Sequence, residues 1–157
     1  SKRCCFTGHR PEKLDMSERA VKKLLESAIK QAVEDGFLTF ITGMARGIDM
    51  WAGEIVLKLK KYNSDIHLIC TPPYEGFEKR WELSEQKLYH KILEKADYTK
   101  YICEHYSKQC YQIRNCYMVD HSKRVIAFYN GASGGTKNTI NYANRKGVEV
   151  INVLSDK

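Results

Sequence analysis

The stretch Phe40-Ile41-Thr42-Gly43-Met44-Ala45-Arg46-Gly47-Ile48-Asp49 decides the fold. An apolar strand runs into a turn bounded by two glycines, and Ile48, Ala52, Ile55, Val56 and Leu59 then recur at helical spacing. The same turn suits an anion. Gly43 and Gly47 permit positive φ and close backbone approach, the first amides of the helix have no partner within it, and its dipole favours negative charge. Arg46 adds a fixed cation with a planar fork of donors. The spacing is neither G-x-G-x-x-G nor G-x-x-x-x-G-K-[ST], and a plain βα connection with a glycine at each end is the competing reading.

Outward from this unit, apolar runs alternate with helical patterns, the signature of an α/β fold around a parallel sheet. Cys4 to Gly8 reads as a first strand. A helix follows with Val21, Leu24, Leu25, Ala28, Ile29, Ala32 and Val33 on its apolar side, Asp15 and Glu18 placed as a capping box, and Gly36 as terminator. Phe37 to Thr42 and Ile66 to Cys70 read as strands, the latter stopped by Pro72 and Pro73, which cannot donate to a ladder. A helix over Glu78 to Lys95 precedes a strand from Tyr98 to Cys103, a helix near Tyr111 to His121 and a strand from Val125 to Tyr129. A short helix from Thr136 to Arg145 and a strand from Val148 to Val153 complete the series. The expectation is an α/β, Rossmann-like three-layer sandwich, a mostly parallel sheet of about six strands with helices on both faces.

A chain of 157 residues suits one domain over 1–157. No run reaches the roughly 18 to 20 apolar residues of a membrane span. The polar start Ser1-Lys2-Arg3 leads into too short an apolar run for a signal peptide, so a cytoplasmic protein is expected. The net charge of +7, from 26 Lys and Arg against 19 Asp and Glu, points to anionic partners without demanding nucleic acid. Of the six cysteines, Cys5, Cys70 and Cys103 fall in expected buried strands, and Cys4, Cys5, Cys110 and Cys116 lack the paired spacings of a zinc site. They read as reduced apolar fillers, and no metal is expected.

In such sheets ligands bind beyond the carboxyl ends of the strands, and the loops there carry the chemistry. Thr7-Gly8-His9-Arg10-Pro11 follows the first strand, Gly43 to Asp49 the second, Thr71 to Phe77 the third and Asn130 to Thr136 the fifth. Ser133-Gly134-Gly135-Thr136 can wrap an anion with backbone amides, with the Thr136 hydroxyl capping the helix or reaching the ligand. Arg10 and Arg114 are further forks for a phosphate or carboxylate. His9 reads as an orienting donor, and Asp49 either caps its helix or meets a ribose. Trp51, Tyr74, Phe77 and Trp81 serve either as core or as a stacking surface.

These residues together resemble the SLOG superfamily of Rossmann-like proteins, most closely its YpsA-like branch. The cues are Thr7-Gly8-His9-Arg10-Pro11, Gly43-Met44-Ala45-Arg46-Gly47-Ile48-Asp49, Tyr74-Glu75-Gly76-Phe77, Arg114-Asn115 with Met118-Val119-Asp120, and Gly135-Thr136 with Tyr142-Ala143. The second cue is also similar to the G-L-A-R-G-I-D segment of the DprA family of DNA-processing proteins, as are Arg114-Asn115 and Ser133-Gly134 to its later motifs.

The resemblance implies a nucleotide-type ligand, an ADP-ribose or NAD-like dinucleotide derivative, with a regulatory role in a bacterial cell, and it admits a homodimer. Its implied ligand contacts are Thr7, Gly8, His9, Arg10, Gly43, Met44, Ala45, Arg46, Gly47, Asp49, Glu54, Tyr74, Glu75, Arg114, Asn115, Asp120, Ser133, Gly134, Gly135 and Thr136. Two alternatives accompany this reading. One is single-stranded nucleic-acid binding through the same arginines. The other is a nucleotide N-glycosidase like the lysine-decarboxylase-like phosphoribohydrolases, which carry P-G-G-x-G-T-x-x-E. Here Thr136-Lys137-Asn138-Thr139 brings no glutamate, so a carboxylate would have to come from Glu54 or Glu75. No residue is assigned a catalytic role.

Overall fold

The computed structural model describes residues 2–154. Its strands are β1 (Lys2–Gly8), β2 (Phe37–Thr42), β3 (His67–Cys70), β4 (Tyr98–Thr99), β5 (Arg124–Phe128) and β6 (Glu149–Asn152). Its helices are α1 (Glu18–Glu34), α2 (Ile48–Lys60), α3 (Leu83–Lys95), α4 (Cys110–Asp120) and α5 (Gly135–Arg145), with a 3-10 turn at Pro11–Lys13. The sheet order is β4-β3-β2-β1-β5-β6, and every pairing is parallel. The α/β, Rossmann-like fold read from the sequence is the fold observed.

Neighbouring strand residues face opposite sides of a sheet, and β1 divides its burial accordingly. Cys4 and Phe6 face a core shared with Phe40, Leu68 and Phe128, closed by Val21, Leu25 and Ile29 of α1, Val56 of α2 and Ile92 of α3. Cys5 faces the other side, where Ile41 and Val125 meet Met118 and Val119 of α4 and Ala143 of α5. The chain thus winds outward from β1 under one layer of helices, returns, and winds outward again from β5 under the other. Between β1 and β5 the connections diverge, which opens a crevice at the carboxyl ends of these two strands.

Four local expectations are corrected. Helix α1 is capped by Ser17, whose Oγ accepts from the Ala20 N–H at 3.1 Å, and not by an Asp15–Glu18 box. Helix α3 starts at Leu83 rather than Glu78, because four-residue turns closed by Phe77, Lys79 and Trp81 N–H groups carry the chain around Gly76, whose φ is +89°. Strand β4 stops at Thr99. Beyond it Ile102 and Cys103 still donate to the carbonyls of Pro72 and Pro73, but neither proline has an N–H to return, so the pairing is one-sided. Cys103 therefore lies outside the sheet and is half-buried, whereas Cys4, Cys5, Cys70 and Cys110 are buried; all six cysteines are free. Glycine at 36, with φ of +97°, ends α1 as expected. No helix among the described residues is long and apolar enough to cross a membrane.

Candidate functional site

Close packing of three loops builds the crevice. At the end of β1, a Cβ on Gly8 would lie 2.6 Å from Ile48 Cγ1, so the missing side chain lets α2 approach the strand. The His9 N–H donates to the Phe128 carbonyl at 3.2 Å, tying this loop to β5. Asn130 Nδ2 donates to the Lys13 carbonyl at 3.1 Å and ties the β5 loop back. Gly47, with φ of +86°, is the N-cap of α2, and a Cβ there would lie 2.6 Å from Pro11 Cγ.

The turn after β2 is braced by the chain itself. Thr42 Oγ1 donates to the Asp49 carbonyl at 2.7 Å, and Asp49 Oδ2 accepts from the Ala45 N–H at 3.2 Å. From α4, Arg114 Nη1 donates to the Gly43 carbonyl at 2.5 Å, while its Nε donates to Asn115 Oδ1 at 2.7 Å. Met44 holds a positive φ of 67° and its side chain is buried in the core. Asp49 is therefore a brace for the turn, reaching back four residues, and not a helix cap. Burial raises its carboxyl above the ordinary range, while the Arg114 guanidinium and the Ala45 N–H pull it back.

The amino end of α5 is different. Gly134 is its N-cap, no side chain caps it, and its first turn holds no acidic residue. A Cβ on Gly134 or Gly135 would meet nothing within 4 Å. Thr136 is buried at the second helical position, without the capping bond that its sequence position allowed.

Between these loops lies a cavity of about 610 Å³, of the size that holds small ligands. It is lined by Thr7, Gly8, His9, Arg10, Ala45, Arg46, Asp49, Arg114, Asn115 and Ser133 to Thr136, all anticipated from the sequence. One wall is aromatic. The Phe77 and Trp81 rings stand 5.1 Å apart, edge to face, and Tyr111 lies 5.8 Å from Phe77. Arg46 lies over Trp81 at 6.0 Å and faces Glu85 Oε1 at 3.7 Å, with 41% of its side chain exposed. Burial, helped by Lys13, lowers the pKa of His9. Asp49 is the one carboxylate on the cavity wall among the described residues, against Arg10, Lys13, Arg46 and Arg114.

Other sequence candidates lie elsewhere. Glu54 lines a separate groove of about 300 Å³ between α2 and α3, rimmed by Lys58, Lys61, Lys91 and Lys95. Asp120 accepts from the Tyr142 hydroxyl at 2.7 Å, joining α4 to α5. Tyr74 stands behind the aromatic wall against Phe77 and Tyr106, and Glu75 is exposed. Gly43, Met44 and Gly47 shape the turn without lining the cavity. Trp51 is core, with the Lys22 ammonium 5.4 Å from its ring centre. Lys13 and Tyr111 line the cavity although the sequence did not single them out. Tyr111 could have been found, since it precedes Arg114 by three residues and so shares its helical face.

Comparison with known proteins follows the same outline. Residues 4–152 match the family model described as the YspA SLOG family. The SPbeta prophage-derived protein YoqJ of Bacillus subtilis is 32% identical over 135 residues, covering 78% of this chain and 79% of that protein. A UPF0398 protein of Halalkalibacterium halodurans is 31% identical over 118 residues, 74% of this chain, and the match spans 62% of that relative's length. Among solved structures, DNA processing protein A (DprA) from Streptococcus pneumoniae superposes with a TM-score of 0.65 at 19% identity, over 95% of this chain and 49% of that one. Its counterpart from Helicobacter pylori gives 0.64 at 17% identity, over 95% and 63%. The matched model spans nearly all of the described sheet, crevice loops included, and the chain belongs to the YspA SLOG family.

Proposed function

We propose that the crevice binds a nucleotide-derived ligand, ADP-ribose or a dinucleotide of that kind, and that the protein senses or signals through it. One observation carries this reading: an uncapped helix end, three arginines and an aromatic wall line one cavity at the switch point of the sheet. Phosphates suit the first two and a base the last. Membership of the SLOG family supports it.

Binding without hydrolysis is the simpler chemistry. A glycosidase needs a carboxylate free to take or give a proton. Asp49 is committed to the Ala45 amide, and Glu54 lines a different groove. Replacing Arg46, a half-exposed cation on the cavity wall, tests the assignment. Arg46→Ala is expected to weaken ADP-ribose binding about tenfold in calorimetry, one lost charge-assisted bond, with the apo melting temperature held. Unaltered affinity removes the assignment.

Single-stranded DNA is the second reading. The Helicobacter pylori neighbour is described by its single-stranded DNA binding mode, and here Arg46 and Trp81 offer a cation beside a ring. That mode predicts affinity falling steeply with salt.

A further inference from the structure

Away from the crevice, α2 and α3 lie side by side and hold a groove of about 300 Å³ between them. We propose that this groove docks an acidic amphipathic helix of a partner protein, with that helix's apolar stripe on the groove floor and its carboxylates on the lysines of both banks. No residue of the groove lines the crevice, so the two sites are tested separately.

Helical spacing builds the two banks. On α2, Glu54, Leu57, Lys58 and Lys61 recur at three- and four-residue intervals, and on α3 so do Leu88, Lys91, Ile92 and Lys95, which puts each set on one face of its helix. In both stripes the apolar groups lie low and the cations high. Ile92 is buried, Leu57 and Leu88 are half-buried, and Lys58, Lys61, Lys91 and Lys95 are exposed. The helices meet closely at the base, where a Cβ on Gly53 would lie 3.3 Å from Ile92 Cγ2.

The charge of the banks is not answered within the fold. Lys60 is bonded to Asp97, but no ion pair among the described residues includes Lys58, Lys61, Lys91 or Lys95. Glu54 is the one acid on the groove wall among the described residues. Glu26 of α1, which Lys58 also influences, is held by Lys30 at 3.1 Å. Helix dipoles account for Lys58, Lys61 and Lys95, which stand at carboxyl ends. They account neither for Lys91, a turn further back, nor for leucines left half-buried between the banks.

The pattern also selects the occupant. A small amphiphilic anion such as a fatty acid has a single charge at one end, whereas here cations flank an apolar floor on both sides over about two helical turns, roughly 10 Å. A helix whose apolar stripe is bordered by Asp and Glu has the complementary arrangement, its apolar anchors entering the groove at three- and four-residue spacing. Facing charges of opposite sign then fix its register and exclude basic or neutral helices.

A fluorescein-labelled synthetic helix with leucines at helical spacing and glutamates on both sides of that stripe, titrated with the protein and read by anisotropy, tests this. The wild type is expected to bind it. Lys58→Glu and Lys91→Glu should each weaken binding about tenfold, because each sets like charges face to face. Lys108→Glu, exposed before α4 on the opposite face of the sheet, should leave it unchanged. All three lysines are exposed, so melting temperatures should stay with the wild type. Replacing the peptide's leucines by alanine, or its glutamates by lysine, should abolish binding. A wild type that does not bind the peptide overturns the proposal, as does affinity unaltered in both groove variants or lowered equally by Lys108→Glu. Alanine peptide that binds as well as leucine peptide overturns it too, since the floor then takes no part. Decanoate that displaces nothing yet binds where the peptide fails assigns the groove to a small amphiphile. A wild-type dimer in sedimentation that both groove variants dissociate assigns it to a second copy of this chain; either result overturns the partner helix.

Discussion

Arg114 and Gly43 are 71 residues apart in sequence, and Nη1 of the one donates to the carbonyl of the other at 2.5 Å. The contact fastens α4, which lies on one side of the sheet, to the turn that leads into α2 on the other. It also explains the glycine, since a Cβ at 43 would stand 2.8 Å from the Arg114 side chain. The cavity floor is thus set by a long-range bond.

Removing that guanidinium leaves the Asp49 carboxylate buried without its cationic neighbour. Losing a buried hydrogen bond from a charged group costs about 1.5–3 kcal/mol, and a domain of this size loses roughly 2–4 °C per kcal/mol. Arg114→Ala is therefore expected to lower the apo melting temperature by about 6 °C. A loss below about 2 °C would mean that the contact does not hold the turn.

Two glycines of the crevice should respond oppositely to alanine. Gly47 has φ of +86° and Pro11 Cγ 2.6 Å from its missing Cβ, so Gly47→Ala meets both backbone strain and a clash, about 1–3 kcal/mol for each. Gly135 has neither, and Gly135→Ala should be neutral or slightly stabilising. Urea unfolding of the two variants tests this; equal losses would show that the end of α5 is as constrained as the turn before α2.

The pH dependence of stability follows from His9. Its pKa is lowered in the fold by burial and then by Lys13, so below its ordinary range near 6.5 the unfolded chain binds the proton more readily. Stability is therefore lost as the pH falls through about 6.5 toward the folded value, and recovered as it rises. Comparing wild type with His9→Gln cancels the other histidines. The difference in melting temperature should move in favour of the wild type between about pH 5 and pH 7. A difference that is flat with pH would show that His9 titrates as in the unfolded chain.

The alternation of strands and helices was legible because each element has a strong period and a marked end. Phe37 to Thr42 is bounded by Gly36 and Gly43, and the observed β2 has those limits. Three crevice loops were legible because strand order places them together at one edge. Side-chain direction was harder to read. Glu54 follows Asp49 by five residues, which at about 100° per residue turns it roughly 140° around α2, onto a different groove. Asp120 resembled a site residue by motif, yet its oxygen is taken by Tyr142, twenty-two residues on. Local spacing around the β2 turn does not reveal that Asp49 bonds back to Ala45. Strand β4 is short because of Pro72 and Pro73 on its neighbour, a cross-strand effect absent from its own residues.

Thermal denaturation of the wild-type protein with AMP, ADP-ribose, NAD and a short single-stranded deoxyoligonucleotide, each at low and high salt, tests the central claim most directly. A ligand at 100 times its dissociation constant stabilises by about 2.7 kcal/mol, or roughly 5 to 11 °C for a domain of this size. The account predicts a shift of that order with one of the three nucleotides, surviving in salt. A shift with the oligonucleotide alone, fading as salt rises, or no shift with any of them, would contradict it.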